Sequence, residues 1–402
     1  MVVCVQLSCS VLSENDDFGS DSELIGSIPL DANAIQHLTG RYLTTSSSSL
    51  FRGQVSVIAA NSRLSVLSYD AETYAVFNAG CRNNNLILEG KTHDLASQST
   101  GAMRLRVAAN RGGAELCSIP AVTPSVPHVA YTGQYGSSRA ELNETITLNF
   151  FGPPKTTGST YIIGHHGCRT VDNCGASENS LEGIRYAGYM GANAVEIDVQ
   201  LSKDGTAFLY HDEDFNSRLT TGVFCLGNVS NYTMLMIKLF CRLKHEEYIP
   251  TLREAMTALV NDDTIKMVWL DPKNTGALPQ MVALANEFSV TAQNAGKNLE
   301  ILIGLPDEDY LNAWLASPGR ETTKCVAEYS VDVTLNYGCR AFAPRFTMGP
   351  QPADAAQLHA AGKLIFYWTL NDKSFFNDFL GYGGADGIIS DRAHLLYTYF
   401  QK

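Results

Sequence analysis

Acidic, basic and imidazole side chains recur in the second half of the chain at the ends of short apolar runs. In the clearest run, residues 194–200, β-branched residues alternate with Glu196 and Asp198. In a strand, this period of two places the β-branched side chains on one face and the carboxylates on the other, about 7 Å apart. Buried carboxylates without a counter-charge each cost several kcal/mol, so we expect a positive group between them. The alternative is an edge strand with two solvated acids.

Other apolar runs end in the same way, with a side chain that can transfer a proton, bind a cation or contact an anion. These residues are His165, His166, His211, Asp271, Lys273 and Trp368. A lone histidine or aspartate is usually structural, but a series of them at successive strand ends is hard to explain by structure alone. Three carboxylates suit a hard divalent cation, two imidazoles suit proton transfer, and a lysine offsets anionic charge.

The elements that must position these residues follow a βα alternation over residues 156–402. Apolar runs are separated by amphipathic stretches typical of helices, which gives about eight β/α units. The predicted strands are 161–164, 194–199, 207–210, 266–271, 300–304, 340–343, 364–369 and 385–389. This pattern predicts a (β/α)8 TIM barrel, in which functional side chains lie at the C-terminal ends of the strands.

Residues 31–155 have a different pattern. Short alternating runs broken by Gly, Asn and Ser recur about every ten residues, which is typical of an all-β sandwich or small barrel. A Gly- and Pro-rich segment at 152–158 predicts the linker to the second domain. Residues 13–30 are acidic and polar, and we expect a flexible tail over residues 1–30. We find no catalytic constellation in this half, so its ligand and role stay open.

Composition narrows the classes of partner. The formal net charge is −12 and no Lys/Arg-rich run occurs, which argues against nucleic-acid binding and gives no general attraction to an anionic membrane. No segment approaches the ~18 apolar residues of a transmembrane helix. We therefore expect a small-molecule or lipid substrate and no membrane span.

The cysteines indicate an oxidising compartment. Ten cysteines are many for a reducing cytosol, and none has Cys-x-x-Cys spacing. Close pairs are Cys168 with Cys174, Cys225 with Cys241 and Cys325 with Cys339, while Cys81 and Cys117 flank one β-rich stretch. Sequons at Asn143, Asn228 and Asn231 agree with this reading. We expect a secreted or extracytoplasmic glycoprotein with disulfide bonds.

Several phrases occur in a fixed order over about 161–399. They are Gly-His-His-Gly at 164–167, Ser-Glu-Asn-Ser at 177–180, Gly-Ala-Asn-Ala-Val-Glu-Ile-Asp-Val at 191–199, Ser-Lys-Asp-Gly at 202–205, His-Asp at 211–212, Ile-Pro-Thr-Leu-Arg-Glu at 249–254, Tyr-Trp-Thr-Leu-Asn-Asp at 367–372 and Gly-Ala-Asp-Gly-Ile-Ile-Ser-Asp at 384–391. Together they make the second domain resemble the glycerophosphodiester phosphodiesterase family.

The resemblance implies a metal-dependent TIM-barrel enzyme that cleaves phosphodiesters. Carried over by position, Glu196, Asp198 and Asp271 would hold one divalent cation, Mg²⁺ or Ca²⁺. His165 and His211 would form the acid–base pair. The substrate-binding or supporting residues would be Lys273 at the phosphate, Trp368 at the alcohol pocket, His166 and Glu178.

The chain departs from the family pattern at two of these positions. His166 stands where the family usually has Arg, which puts one phosphate contact in doubt. Asp271 lies in an Asp-Pro-Lys phrase where the family more often has Glu-x-Lys. The Asp-x-Lys spacing is similar to the sphingomyelinase D branch, whereas the insertion between His211 and Lys266 resembles the phosphodiesterase branch.

Three functions are therefore considered. The first is metal-dependent hydrolysis of glycerophosphodiesters to an alcohol and glycerol 3-phosphate. The second is phospholipase D-type cleavage of lysophospholipids or sphingomyelin, with a cyclic phosphate as a possible intermediate. The third is an inactive barrel that acts as a binding protein.

Overall fold

A computed structural model describes residues 18–45, 50–118, 129–169 and 174–402. The chain forms two compact units, Met1–Pro153 and Pro154–Lys402. The division falls within the Gly- and Pro-rich segment that the sequence predicts as a linker.

The first unit is a closed antiparallel barrel. Its strands are β1 (Ile28–Pro29), β2 (Gly40–Thr44), β3 (Gln54–Ala60), β4 (Arg63–Ser68), β5 (Thr73–Arg82), β6 (Asn85–Asp94), β7 (Ser99–Val107), β8 (Tyr131–Gly136) and β9 (Glu144–Gly152), with helices α1 (Ala32–Gln36) and α2 (Gly113–Cys117). The order β5-β4-β3-β2-β9-β8-β7-β6 closes because β6 also pairs with β5. The sequence predicts a sandwich or a small barrel for this unit, and the structure is a barrel.

Its interior is filled by side chains that alternate along the strands. Tyr42, Phe77 and Leu105 are fully buried in one cluster, as period-two strands with one face inward require. The hydroxyl groups of Tyr42 and Tyr131 both donate to the carbonyl oxygen of Leu38, at 3.0 Å each.

The prediction of a flexible tail over residues 1–30 is wrong for its described part, residues 18–30. Phe18 is buried, and Ile28 pairs with Cys81 in the β1–β5 ladder. The Ser22 hydroxyl donates to the buried Glu89 at 2.5 Å. The acidic, polar composition was misleading because these groups are used in hydrogen bonds to the barrel. Residues 1–17 lie outside the described residues.

The second unit is a closed parallel barrel with eight strands. These are β10 (Tyr161–Gly164), β11 (Ala194–Leu201), β17 (Met267–Pro272), β18 (Glu300–Leu305), β19 (Lys324–Ala327), β20 (Ala341–Phe342), β21 (Leu364–Tyr367) and β22 (Gly387–Ser390). The sheet closes because β10 pairs in parallel with both β11 and β22. The predicted TIM barrel is confirmed.

One predicted barrel strand was wrongly assigned. Residues 207–210 contain β12 (Ala207–Leu209), which pairs antiparallel with the end of β11 rather than joining the barrel. The strand that sequence reasoning missed is β19, whose apolar part is the short run Cys-Val-Ala. A short apolar run looks the same in a hairpin as in a parallel barrel, so periodicity could not separate the two.

Helices alternate with the barrel strands. They are α3 (Leu181–Tyr189), α4 (Met234–Phe240), α5 (Leu252–Asn261), α6 (Leu278–Asn294), α7 (Glu308–Leu315), α8 (Val331–Asn336), α9 (Pro352–Ala360) and α10 (Ala393–Gln401). Side-chain caps fix several starts: Thr251 and Glu254 form a capping box at α5, and Ser180 caps α3. Within the described residues, no helix combines the length and apolar character needed to cross a membrane.

An insertion lies between β12 and β17. It contains the short ladders β13 (Asp214–Phe215) with β15 (Gly227–Asn228) and β14 (Thr220–Thr221) with β16 (Arg242–Leu243), together with α4. The bond between Cys225 and Cys241 closes it. The close pairs Cys168–Cys174 and Cys325–Cys339 are also joined, and so are Cys81 and Cys117.

Candidate active site

Three carboxylates meet at the C-terminal ends of two neighbouring strands. Asp198 of β11 is directly opposite Asp271 of β17, and Glu196 is two residues earlier on β11. Residues in register on parallel strands share a face, so all three side chains lie on the same face of the sheet, near the C-terminal ends of its strands. One carboxylate oxygen from each lies within 4.8 Å of the others.

Lys273 supplies the positive group that the sequence requires. Its Nζ lies 2.8 Å from Asp198 Oδ1 and 2.5 Å from Asp271 Oδ2. Burial alone would lower the pKa of Lys273, but Asp198 and Asp271 raise it above its ordinary value. Lys273 is therefore an ammonium ion bound to the acids.

His166 is turned toward the acids rather than outward. Its backbone has a positive φ of 54°, its N–H donates to Glu196 at 3.0 Å, and its Nδ1 bonds Asp198. Asn179 completes the shell around Asp198: its side-chain amide donates to Oδ2 at 2.6 Å. His166 and Asn179 thus hold the carboxylates in place.

His165 is oriented by an aspartate from the far end of the chain. Its Nδ1 lies 2.5 Å from Asp391 Oδ1, next to the end of β22. Asn371 and Arg169 also donate to Asp391, at 2.5 Å and 3.1 Å. Burial would raise the pKa of Asp391, but His165 and Arg169 hold it below its ordinary range. Because Nδ1 is occupied, Nε2 is the ring nitrogen left for proton transfer, and it lies 3.9 Å from Glu196.

His211 reaches the same site through the β11–β12 hairpin. The hairpin turns the chain back, so that Tyr210 N–H donates to the Asp198 carbonyl at 3.2 Å and His211 follows. Its Nδ1 lies 2.7 Å from Asp212, which also accepts from Arg218 at 2.6 Å. The ring centroids of His165 and His166 are 3.7 Å apart, and those of His166 and His211 5.1 Å apart. The three imidazoles are therefore neighbours, with His166 in contact with both of the others.

Glu178 and Trp368 occupy different surroundings. Glu178 is buried, with Arg218 Nη1 3.6 Å from its Oε1; burial raises its pKa and Arg218 opposes the rise. Trp368 follows β21, donates its indole N–H to Ala343 at 2.7 Å, and has the Arg345 guanidinium 4.8 Å from its ring centroid. Trp368 thus packs at the barrel mouth beside Arg345.

The electrostatics of the acids fit a cation. Burial raises the pKa of Glu196 well above its ordinary value, and the charges of Asp198 and Asp271 add to the rise. Burial likewise raises the pKa of Asp271. Burial would also raise the pKa of Asp198, but His166 and Lys273 hold it well below its ordinary value. Three hard oxygen donors with excess negative charge are a possible divalent-metal site.

Comparison with known proteins identifies the barrel. The sequence profile described as "Glycerophosphoryl diester phosphodiesterase family" matches residues 164–395, more than half of the chain. The chain belongs to this family. Membership indicates an enzyme that hydrolyses phosphoric diesters.

Similar proteins from bacteria and from animals carry the name of the same family. A Mycobacterium tuberculosis protein named probable glycerophosphodiester phosphodiesterase 2 is 26% identical over 233 residues, which cover 54% of this chain and 83% of the relative. Human glycerophosphodiester phosphodiesterase 1 is 36% identical over 94 residues, 21% of this chain and 27% of the relative. The structure of an Oleispira antarctica phosphodiesterase, in complex with the product sn-glycerol-3-phosphate, matches with a TM-score of 0.50 and 22% identity over 60% of this chain and 96% of that one. The last comparison shows the fold.

Several polar residues in this phosphodiesterase barrel were not among the predicted site residues. They are Asp391, Asp212, Asn179, Arg169 and Arg218. Asp391 gave a usable signal, since it follows the last strand as the other acids follow theirs. The two arginines gave none, because neither follows a barrel strand. They place guanidinium groups near the site in a chain that has His166 where the family usually has Arg.

Proposed function

We propose that the barrel hydrolyses glycerophosphodiesters to an alcohol and glycerol 3-phosphate, with one divalent cation, Mg²⁺ or Ca²⁺. One observation carries the proposal: three carboxylates within 4.8 Å share an end of the barrel with two imidazoles, each held by its own aspartate. The acids suit a cation, and the imidazoles suit proton transfer on either side of a phosphorus atom.

Glu196, Asp198 and Asp271 would hold the cation. When bound, it would offset negative charge on the phosphoryl oxygens. Lys273 already bridges two of these acids, so its ammonium group lies where it can add to the same effect. His166 and Asn179 keep the carboxylates oriented through their hydrogen bonds. The cation and Lys273 would thus supply positive charge to the phosphate locally, in a protein whose net charge is −12.

His165 and His211 would transfer the protons. In each ring Nδ1 is bound to an aspartate, which leaves Nε2 to act. One imidazole would take a proton from the attacking water or hydroxyl as it forms a bond to phosphorus. The other would donate a proton to the alkoxide as the phosphorus–oxygen bond to the alcohol breaks.

A metal-supplemented assay tests this function. Purified protein is incubated with glycerophosphocholine and glycerophosphoinositol, and glycerol 3-phosphate release is measured. We expect turnover that EDTA abolishes and that Mg²⁺ or Ca²⁺ restores. Glu196→Gln should weaken cation binding in a calorimetric titration, independently of turnover. Turnover that is insensitive to EDTA would contradict the metal assignment, and no turnover on any diester would favour the inactive binding protein.

A second candidate is phospholipase D-type cleavage of lysophospholipids or sphingomyelin. The observation in its favour is a set of exposed apolar side chains in the insertion that follows His211. Choline release from lysophosphatidylcholine without turnover of glycerophosphocholine would support this candidate over the first. Phosphorus NMR of the same reaction distinguishes a cyclic phosphate from direct hydrolysis.

We also propose that the protein acts in a secreted or extracytoplasmic compartment. Four cysteine pairs joined as disulfides support this, because such bonds persist in oxidising surroundings. Expression in a eukaryotic host, followed by glycosidase treatment of medium and cells, tests secretion and use of the three sequons. Accumulation inside the cell would contradict the proposal.

A further inference from the structure

Exposed apolar side chains are concentrated in the insertion between β12 and β17. Eight large ones, 37 to 86% exposed, lie within 26 residues: Val223, Phe224, Leu226, Leu235, Met236, Leu239, Phe240 and Tyr248. We call these eight residues the apolar face. Four of them line an open groove of about 600 Å³: Phe224, Leu226, Met236 and Phe240. Single exposed apolar residues are ordinary, but a contiguous group marks an interaction site.

The fold holds these side chains outward. Helix α4 buries Met234 and Ile237 and leaves Leu235 and Leu239 more than 60% exposed. The Tyr232 hydroxyl donates toward the carbonyl oxygens of Phe224 and Leu226, at 3.0 Å and 2.7 Å. The Cys225–Cys241 bond joins the loop to the end of α4. The exposure is therefore built into an ordered subdomain.

The charge of this segment is opposite to that of the protein. Residues 215–248, which include the whole apolar face, contain four Lys or Arg residues against Glu246 and Glu247, in a chain of net charge −12. Lys238 is paired with Glu254 and Arg218 with Asp212. Lys244 donates to the Ser217 carbonyl oxygen instead, at 2.9 Å, and its side chain is exposed. Apolar side chains with nearby basic groups are complementary to an anionic lipid surface.

The same insertion is anchored to the candidate active site. Phe208 and Tyr210, which precede His211, pack in one cluster with Ile237 of α4. The Ser177 hydroxyl, next to Glu178, donates to Glu247 at 2.7 Å and accepts from His245 N–H at 2.9 Å. A surface that bound the apolar face would thus lie near the residues around His211 and Glu178.

We propose that the apolar face docks the enzyme on a phospholipid surface that carries anionic headgroups. The insertion would lay Leu235, Leu239 and Phe224 among the acyl chains, while Lys244 faces lipid phosphate and carboxylate groups. That the docked lipid is also a substrate rests on the function proposed above, whereas docking itself does not. The net charge of −12 does not prevent this, because attraction to a membrane falls off within a Debye length and is governed by local charge.

Vesicle co-sedimentation tests the docking. The full chain is made without N-linked glycan, since Asn228 and Asn231 line the groove. Phosphatidylcholine vesicles with and without phosphatidylserine are the probes. We expect binding to the mixed vesicles that falls more than tenfold in the double variant Leu235→Ser/Leu239→Ser. Lys244→Gln should reduce binding to mixed vesicles only. The matched control is Val290→Ser, a change at an exposed apolar residue on α6, and this variant should bind as the wild type does.

Thermal unfolding and sedimentation of the free protein make the result decisive. The variants should unfold at the wild-type temperature, because Leu235 and Leu239 are exposed. The proposal is overturned if wild-type protein ignores both vesicle types, or if the double variant binds like the wild type. A dimer that the double variant abolishes, without vesicle binding, would assign the face to a second copy. Hydrolysis of soluble glycerophosphocholine is measured in parallel, and its absence would count against the proposed function alone.

Discussion

The chain contains two eight-stranded barrels, one antiparallel and one parallel. In the first, each strand runs antiparallel to its neighbours, so the C-terminal ends of successive strands alternate between two rims. In the second, all eight strands run in parallel, and every C-terminal end lies at one rim. Similar short runs with polar ends therefore have different consequences in the two barrels.

The buried polar groups show the difference. In the first barrel, the carboxylate of Glu89 is bonded to neighbouring side chains: it accepts hydrogen bonds from Arg104, at 2.6 Å, and from Ser22. His93 stacks on Tyr74 with ring centroids 4.7 Å apart. In the second barrel, His165, Glu196 and Asp271 come from three strands and converge. Among the described residues, groups that could hold a metal occur in the second barrel only.

The largest effect should come from removing an imidazole at the active rim. His165→Ala or His211→Ala should lower kcat on glycerophosphocholine roughly a thousandfold, because each removes one proton-transfer group. His359→Ala is the matched control: His359 pairs with Asp386 on the surface of the same barrel and should leave kcat unchanged. Equal loss in all three variants would mean that the histidines act through stability.

Truncating a core side chain should have different effects on hydrolysis in the two barrels. Phe77 and Phe366 are fully buried, one in the interior of each barrel, and either change to Ala should cost about 3–5 kcal/mol of unfolding free energy. Phe366→Ala should also lower hydrolysis, since its ring supports Trp269 beneath the acids. Phe77→Ala should leave hydrolysis intact.

The measurement is thermal unfolding of each variant with hydrolysis assayed well below the transition. Phe77→Leu and Phe366→Leu serve as conservative controls with smaller losses. If Phe77→Ala abolished hydrolysis while the second barrel stayed folded, the first barrel would have a role in catalysis that its side chains do not suggest.

A positioning effect should be smaller than loss of the imidazole. Asp391→Asn keeps the shape but removes the charge that holds His165 Nδ1, so kcat should fall, by less than the loss expected for His165→Ala. KM should change little, since Asp391 is buried behind the histidine. The pH dependence of kcat should shift as well, because the neighbouring charge is lost. A change in KM alone would contradict the positioning role.

The acids of the site could be predicted because each is recognised from the few residues around it in the sequence. Glu196, Asp198 and Asp271 each sit in or after an apolar run, and parallel strands bring such ends together. The resemblance of the phrases then named the family, which the comparison confirms. The roles of the individual residues stay predictions.

What could not be predicted depends on distant pairing or backbone turns. Asp391 bonds His165 across 226 residues, and only barrel closure brings them together. His166 is a predicted substrate-binding residue, and its contact with Asp198, from a backbone with positive φ, could not be read from the sequence. Strand β19 was missed and β12 misplaced because pairing partners, not composition, distinguish them.

The smallest expected difference concerns the disulfides of the two barrels. Cys81–Cys117 closes 36 residues in the first barrel and Cys325–Cys339 closes 14 in the second. Chain entropy gives stabilisations of roughly 3.8 and 3.0 kcal/mol, so the longer loop should contribute about 0.8 kcal/mol more. Paired Cys→Ser variants measured by denaturant unfolding test this, with hydrolysis reporting separately on the second barrel. A larger loss from the shorter loop would show that native packing around Cys325, in a barrel strand next to β18, outweighs the entropy of the unfolded chain.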